Sequence, residues 1–216
     1  MRIAIFSDVH GNLPALEVFV AATVDEVDAY VCLGDIVNYG PWNDECLELV
    51  QSLPGIVVLE GNHERLFRGV EPIEDEVPLV REFFRNSRAH FTHERLIRDL
   101  PATHTLGRYT CRHTLDGDKR IYPDTQVDVS HSWVIGHTHH QFRTRCGEHE
   151  VVNCGSVGQN RGFIDIVNYV IFDETSQVLA LEARPYRVDL LLDEMVARGY
   201  PGACLDYYRR KPRAHA

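Results

Sequence analysis

The sequence predicts an α/β fold in which two β-sheets pack within one domain spanning residues 1–216, and three observations carry that expectation. Short apolar runs rich in β-branched residues alternate with helical patterns in the first third, the chain beyond Pro101 turns strand-like, and no Pro- or Gly-rich linker divides the halves. At 216 residues and 44% hydrophobic, the chain is long enough for one full-sized core.

Taken in order, Ile3-Ala4-Ile5-Phe6 predicts a strand, and Asn12-Leu13-Pro14-Ala15 opens a helix with Pro in its first turn. A second strand runs from Ala29 to Leu33 and a second helix begins near Asn43, with Cys46, Leu47, Leu49 and Val50 on one side. Ile56 to Leu59 reads as a third strand. Strands separated by helices imply crossover connections and a parallel sheet. From about Glu71 to Leu100 the pattern is an accessory helical excursion, with Leu79, Val80, Phe83 and Phe84 at helical spacing. Strands follow at Tyr109 to Thr114 and Trp133 to Ile135. Hairpins follow across Phe142 to Val152, turning near Gly147, and across Tyr169 to Ala183, with closing helices between about Asp189 and Arg210.

A formal net charge of -10 excludes a surface built to wrap nucleic-acid duplexes, which needs clustered Lys and Arg. The basic run Arg209-Arg210-Lys211-Pro212-Arg213 reads as a solvated end of a helix. Six scattered cysteines, with no C-x-x-C pair, imply reduced thiols; Cys32 and Cys154 read as core. With no signal segment or apolar stretch of membrane-spanning length, a cytoplasmic location is expected.

Polar clusters stand immediately after the predicted strands: Asp8 and His10, Gly34-Asp35, Gly61-Asn62-His63-Glu64, a lone His113, and Gly136-His137 with His139. The carboxyl edge of an open sheet is where ligands gather, so their positions suggest one composite site. Imidazole and carboxylate together suit a borderline divalent ion such as Mn, Fe, Co, Ni or Zn. Any one pair is commonplace, but five in order are not. Glycine before a ligand lets the backbone turn sharply and the ligands converge.

This order of motifs resembles the calcineurin-like metallophosphoesterases, and residues 8–16, 34–41 and 153–159 resemble the small bacterial and archaeal phosphodiesterase branch. The resemblance implies a four-layer αββα sandwich of two mixed sheets flanked by helices, with two divalent cations as cofactors. One would be held by Asp8, His10, Asp35 and His139, the other by Asp35, Asn62, His113 and His137, with Asp35 bridging. It further implies a small phosphodiester or phosphomonoester as substrate, hydrolysed by in-line attack of a metal-bridging hydroxide, with His63 protonating the leaving oxygen and either Glu64 or Asn38 orienting His63.

Departures narrow the substrate. Protein phosphatases of this superfamily carry Asp and Arg where this chain has Asn38 and Tyr39, which argues for a singly charged diester. His113-Thr114 replaces the branch's usual His-Gly, making His113 the least regular ligand, with His104 a weaker candidate for its place. Backbone amides of the Gly155 to Arg161 segment, with the Arg161 side chain, are candidates for gripping phosphate, and a structural turn is the equal alternative. His140 is expected to face away from His139 along a strand. Tyr39 and Trp42 could stack on a base or simply cover a helix start. Two other functions stay open: a nucleotide hydrolase acting on cyclic nucleotides or dinucleoside polyphosphates, and a non-catalytic interaction module on the same fold.

Overall fold

In the computed structural model, which describes residues 1–115 and 119–215, strand β1 (Arg2–Phe6) alternates as period-2 geometry requires. Ile3 and Ile5 face one apolar layer and Ala4 and Phe6 another, so the strand is buried on both sides. It pairs parallel with β2 (Ala29–Cys32), which pairs parallel with β3 (Val57–Val58). On its other side β1 pairs antiparallel with β9 (Ile166–Asp173), followed by the edge strand β10 (Val178–Pro185). This mixed five-stranded sheet has the order β10-β9-β1-β2-β3. The crossovers are α1 (Leu13–Thr23), whose start is capped by the Asn12 side chain accepting from the Ala15 amide, and α2 (Asn43–Gln51).

The second mixed sheet, also five-stranded, has the order β4-β5-β6-β8-β7. Its strands are β4 (Thr103–Leu106), β5 (Tyr109–Arg112), β6 (Ser132–Ile135), β7 (Gln141–Cys146) and β8 (His149–Cys154). The expected hairpin is β7 and β8, turning at Gly147. Between the sheets lie Ile3, Ile5, Val31, Leu33 and Leu59 from the first and Tyr109, Cys111, Val134, Val152 and Cys154 from the second. A larger apolar cluster joins the outer face of the first sheet to α1, α2, α5 (Val188–Ala197) and α6 (Gly202–Arg209). The outer face of the second sheet is closed by Leu115, Ile121, Ile135, Phe142 and Val151, with Val127 and Val129 packed against them. The two mixed sheets flanked by helices match the expected architecture. Of the span 1–216 expected to form one domain, 116–118 and 216 lie outside the described residues.

Local differences have physical reasons. A helix, α3 (Asn62–Phe67), starts at the polar cluster where only a strand end was foreseen, and six residues are too few to display a helical period. The third strand shrinks to Val57–Val58 because as the sheet edge it pairs only with Val31 and Cys32. The excursion at 71–100 contains one α-helix, α4 (Pro78–Arg88), with short 3₁₀ turns at Ile73–Asp75 and Glu94–Ile97. β4 carries no apolar run in the sequence; its alternating Thr and His expose one face.

Candidate metal centre

The two sheets bring their carboxyl ends to one place. Asp8 and His10 follow β1, Asp35 follows β2, Asn62 opens α3, His113 follows β5, and His137 and His139 follow β6. Eight non-glycine residues of the described chain have positive φ, and seven of them are Asp8, His10, Asp35, Asn38, Tyr39, His137 and His139. A non-glycine residue in this left-handed region costs on the order of 1 kcal/mol and persists only where its surroundings over-determine it. Here backbone ties between the first two loops do so: Asp8 N–H to Gly34 O at 3.0 Å, His10 N–H to Asp35 O at 3.0 Å and Gly11 N–H to Ile36 O at 2.8 Å.

The sharp turns therefore lie mostly in the ligand residues themselves, correcting the expectation that the preceding glycines supply them. The glycines supply room. A methyl on Gly61 would sit 2.1 Å from Asp35 Oδ1, and one on Gly136 would sit 2.2 Å from Ser7 Oγ and 2.7 Å from Asp8 Oδ2.

Two buried groups of acceptor atoms result. In the first, His10 Nε2 and His139 Nε2 are 3.1 Å apart, and Asp8 Oδ1 lies 3.7 Å from the former and 3.2 Å from the latter. In the second, His113 Nε2 is 3.1 Å from Asn62 Oδ1, 3.2 Å from His137 Nδ1 and 3.2 Å from Asp35 Oδ2. His137 Nδ1 is 3.0 Å from Asn62 Oδ1. Asp35 Oδ2 also lies 4.0 Å from His10 Nε2 and 3.8 Å from His63 Nε2, so His10, Asp35 and His63 make a third close set between the two.

Hydrogen bonds behind the site fix which lone pairs face it. The Nδ1 atoms of His10, His113 and His139 approach the carbonyls of Val37 (3.1 Å), Leu33 (3.0 Å) and Gln159 (2.7 Å), so each carries a proton there and turns Nε2 toward the site. The outer carboxylate oxygens are taken by backbone amides, His137 N–H on Asp8 Oδ2 and His63 N–H on Asp35 Oδ1. Asp8 Oδ1 has no hydrogen-bond partner although it is fully buried. Two bare imidazole nitrogens 3.1 Å apart beside an orphaned carboxylate oxygen repel one another unless a cation or proton lies among them. The donor set of imidazole, carboxylate and amide oxygen fits a divalent transition metal.

The charge states agree with that fit. Burial raises the Asp8 carboxyl, but the His139 imidazole overrides it and holds the group below the usual carboxylate range. Burial likewise raises Asp35, and His113 and His63 override it. Burial pushes His10 well below an ordinary imidazole and, together with His113, lowers His137 to about 4. His113 is the exception. Burial lowers it, yet the Asp35 carboxylate lifts it to about 9, so without metal its ring holds a proton in a cation's place.

His63 stands beside this floor. Its Nδ1 is 2.9 Å from Asn38 Nδ2, while Asn38 Oδ1 accepts from the Tyr39 N–H at 2.8 Å and lies 2.9 Å from the Ser87 hydroxyl. The amide must therefore present its NH₂ to His63, which makes Nδ1 the acceptor and puts the proton on Nε2, facing the site. Of the two candidates for orienting His63, Asn38 is the one in contact. Glu64 instead accepts from the Asp35, Ile36 and Gly61 amides at 2.7, 2.8 and 2.9 Å, clamping α3 to the loop that carries Asp35. Burial and the Asp35 carboxylate push Glu64 up to about 7.

Above the floor lies a cleft of about 350 Å³ whose lining includes Asp35, Asn62, His63, His137, His139, Tyr39 and Arg161. Of the two readings of the Gly155 to Arg161 segment, the structural turn fits the amides of 157–159: Val157 N–H and Gly158 N–H donate to the carbonyls of Ser7 and Asp8 just after β1, and Gln159 N–H donates to Ser156 Oγ, while the Arg161 side chain lines the cleft. His140 also lines the cleft, because residue 139 is in a left-handed turn and β7 begins only at Gln141. His104 lies within β4, paired with Cys111, away from the cluster. Tyr39 packs edge-on against His10 and His63 at 4.8 and 5.3 Å between centroids, whereas Trp42 lies under Arg198 outside the cleft. Sequence reading missed Ser87, Glu76, Tyr122 and Tyr207, none of which belongs to a motif.

Residues 1–177 match the calcineurin-like phosphoesterase superfamily domain. A metallophosphoesterase from Sphaerobacter thermophilus superimposes with a TM-score of 0.79 at 27% identity, covering 97% of this chain and 98% of that one. A hypothetical protein from Pyrococcus horikoshii OT3 shares the fold with a TM-score of 0.83 at 15% identity, covering 96% and 97%. An uncharacterized protein of Methanocaldococcus jannaschii is 25% identical over 244 aligned positions, 92% of this chain and 93% of the relative. With its strand-end ligands converging between two mixed sheets and its family match covering 1–177, the chain belongs to the calcineurin-like phosphoesterase superfamily.

Proposed function

We propose that this protein hydrolyses a small phosphodiester, or a phosphomonoester, with the aid of two divalent metal ions. Asp8, His10, Asp35 and His139 would hold one, and Asp35, Asn62, His113 and His137 the other. The observation that carries this reading is the close set of Asp8, His10 and His139 beside that of Asp35, His113 and His137, with the His10 and His139 Nε2 atoms 3.1 Å apart and Asp35 Oδ2 4.0 Å from His10 Nε2. Two such cations, typically about 3.5–4 Å apart, supply charge neutralisation for a phosphate and a nucleophile from water at neutral pH.

The chain's own residues supply the rest. His63, its Nε2 proton set by Asn38, stands 3.8 Å from Asp35 Oδ2, where it can hydrogen-bond a phosphoryl oxygen and give its proton to the leaving oxygen. Tyr39 packs against both His10 and His63, whose rings also meet each other edge-on at 5.0 Å between centroids. Asn38 and Tyr39, in place of a carboxylate and a guanidinium, leave no basic residue at those two positions to grip a phosphate dianion, which favours a diester. The aromatic lining of the cleft by Tyr39, Tyr122 and Tyr207 supports a nucleotide as a second reading. A non-catalytic module has no use for a complete ligand set with His63 in register.

The test is hydrolysis of bis-p-nitrophenyl phosphate and p-nitrophenyl phosphate with Mn added and with Mn removed by a chelator. Turnover of the diester that requires metal and falls on the order of 10³-fold or more in Asp35→Asn, about 4 kcal/mol of barrier, is expected. Hydrolysis of neither ester with any of Mn, Fe, Co, Ni or Zn overturns the proposal.

A further inference from the structure

The basic run at 209–213 is not simply solvated. After α6 the chain folds back, with Ile164 N–H on Pro212 O at 2.9 Å and the Asp165 carboxylate accepting from the amides of Ala214 and His215 at 2.8 and 2.9 Å. Arg213 pairs with Asp189 at 2.9 Å, and Arg210 and Arg209 both pair with Asp206, at 3.1 and 3.9 Å. Lys211 is left without an acidic partner among the described residues. Its Nζ stands 4.9 Å from the centroid of Tyr207, and the guanidinium carbon of Arg161, equally unpaired, stands 5.6 Å from the same centroid.

Two cations gathered on one ring with no acidic partner among the described residues repel each other, and stacking on an aromatic face eases that only in part. Burial and the Arg161 charge both lower the Lys211 ammonium. The Tyr207 hydroxyl is buried with no hydrogen-bond partner among the described residues. Arg161 and Tyr207 line the cleft over the metal centre, and Tyr207 with Leu79 also borders an adjoining hollow lined by Ala203, Arg210, Lys211 and Pro212. Tyr207 and Leu79 thus border both spaces, with Arg161 on the cleft and Lys211 on the adjoining hollow.

We propose that Arg161, Lys211 and the Tyr207 hydroxyl form a second anion site beside the metal centre, and that the natural substrate carries a second phosphate there, separate from the scissile one. This inference rests on the phosphoesterase reading above. Donors arriving from a guanidinium, an ammonium and a hydroxyl suit a tetrahedral phosphate better than a planar carboxylate. Substrates of this class are phosphate esters of nucleoside bisphosphates and nucleoside polyphosphates.

The test uses a matched pair of ligands, thymidine 5′-phosphate and thymidine 3′,5′-bisphosphate, titrated calorimetrically into the metal-loaded protein. The bisphosphate should bind about tenfold tighter, as one charge-assisted contact implies, and Lys211→Gln and Arg161→Gln should each shrink that ratio toward one. Equal affinities, or a ratio that both variants leave unchanged, overturn the second site whether or not the protein turns over. Kinetics on the 5′-p-nitrophenyl esters of the same two nucleotides separate the readings. A binding preference for the bisphosphate with hydrolysis of neither ester removes the phosphoesterase reading, and with it the second phosphate's role in a substrate. Hydrolysis of both at equal kcat/KM removes the second site alone.

Discussion

The floor of the cleft is fully tied down: seven left-handed residues, two carboxylates with their outer oxygens bonded to amides, and imidazoles fixed from behind by backbone carbonyls. Its wall is the opposite. Arg161 and Lys211 have no acidic partner among the described residues, Val77 is 61% exposed and Tyr122 38% exposed. A floor that must hold cations at fixed separations gains from rigidity set up in advance, whereas a wall that meets the variable part of a substrate gains from side chains free to adjust. The difference teaches where chemistry and where selectivity should be sought. Floor substitutions should change turnover, and wall substitutions should change preference.

The largest departure expected within the floor, beyond the loss of Asp35, is at His63. His63→Gln keeps a side chain that can hydrogen-bond but removes the transferable proton. It should lower kcat by about 10²–10⁴-fold while leaving metal content unchanged, as read by steady-state kinetics beside elemental analysis. An equal loss of metal would assign His63 to the ligand set instead and blur the line between floor and neighbour.

A smaller effect concerns pH. The His113 ring, lifted to about 9 by Asp35 against the effect of burial, is charged in the metal-free protein at neutral pH. Its folded-state pKa lies above that of the unfolded chain, so its contribution to metal-free stability is complete below about 6.5 and disappears as pH rises through about 9. Metal must displace this proton. Apparent affinity, measured by competition with a chelator of known pH response, should rise about tenfold per pH unit between 7 and 9. A flat profile would mean that His113 is not a ligand.

The contrast between floor and wall also accounts for what could be read from sequence. Asp8 with His10 is legible because a strand end that turns two side chains to one place needs them two residues apart, and His137 with His139 because the same spacing sends one imidazole to each group. The alternation of Ile3 and Ile5 with Ala4 and Phe6 announced a strand buried on both faces. Asn38 could not be preferred over Glu64 because the choice depends on how α3 sits against the loop after β2, a tertiary matter. The amides of 157–159 pointed plausibly at phosphate until their partners, the carbonyls of Ser7 and Asp8 and the Ser156 hydroxyl, were located. Lys211 and Arg161 meet only through the backward fold of the chain onto Asp165, and no local pattern encodes such a meeting.

The central claim is that Asp35 is shared by two cations, and counting the ions tests it most directly. Protein reconstituted with excess Mn, freed of loose metal and measured by elemental mass spectrometry should hold about two ions per chain, and Asp35→Asn one or fewer. A wild-type protein that retains a single ion, or an Asp35→Asn variant that still retains two, would contradict the account.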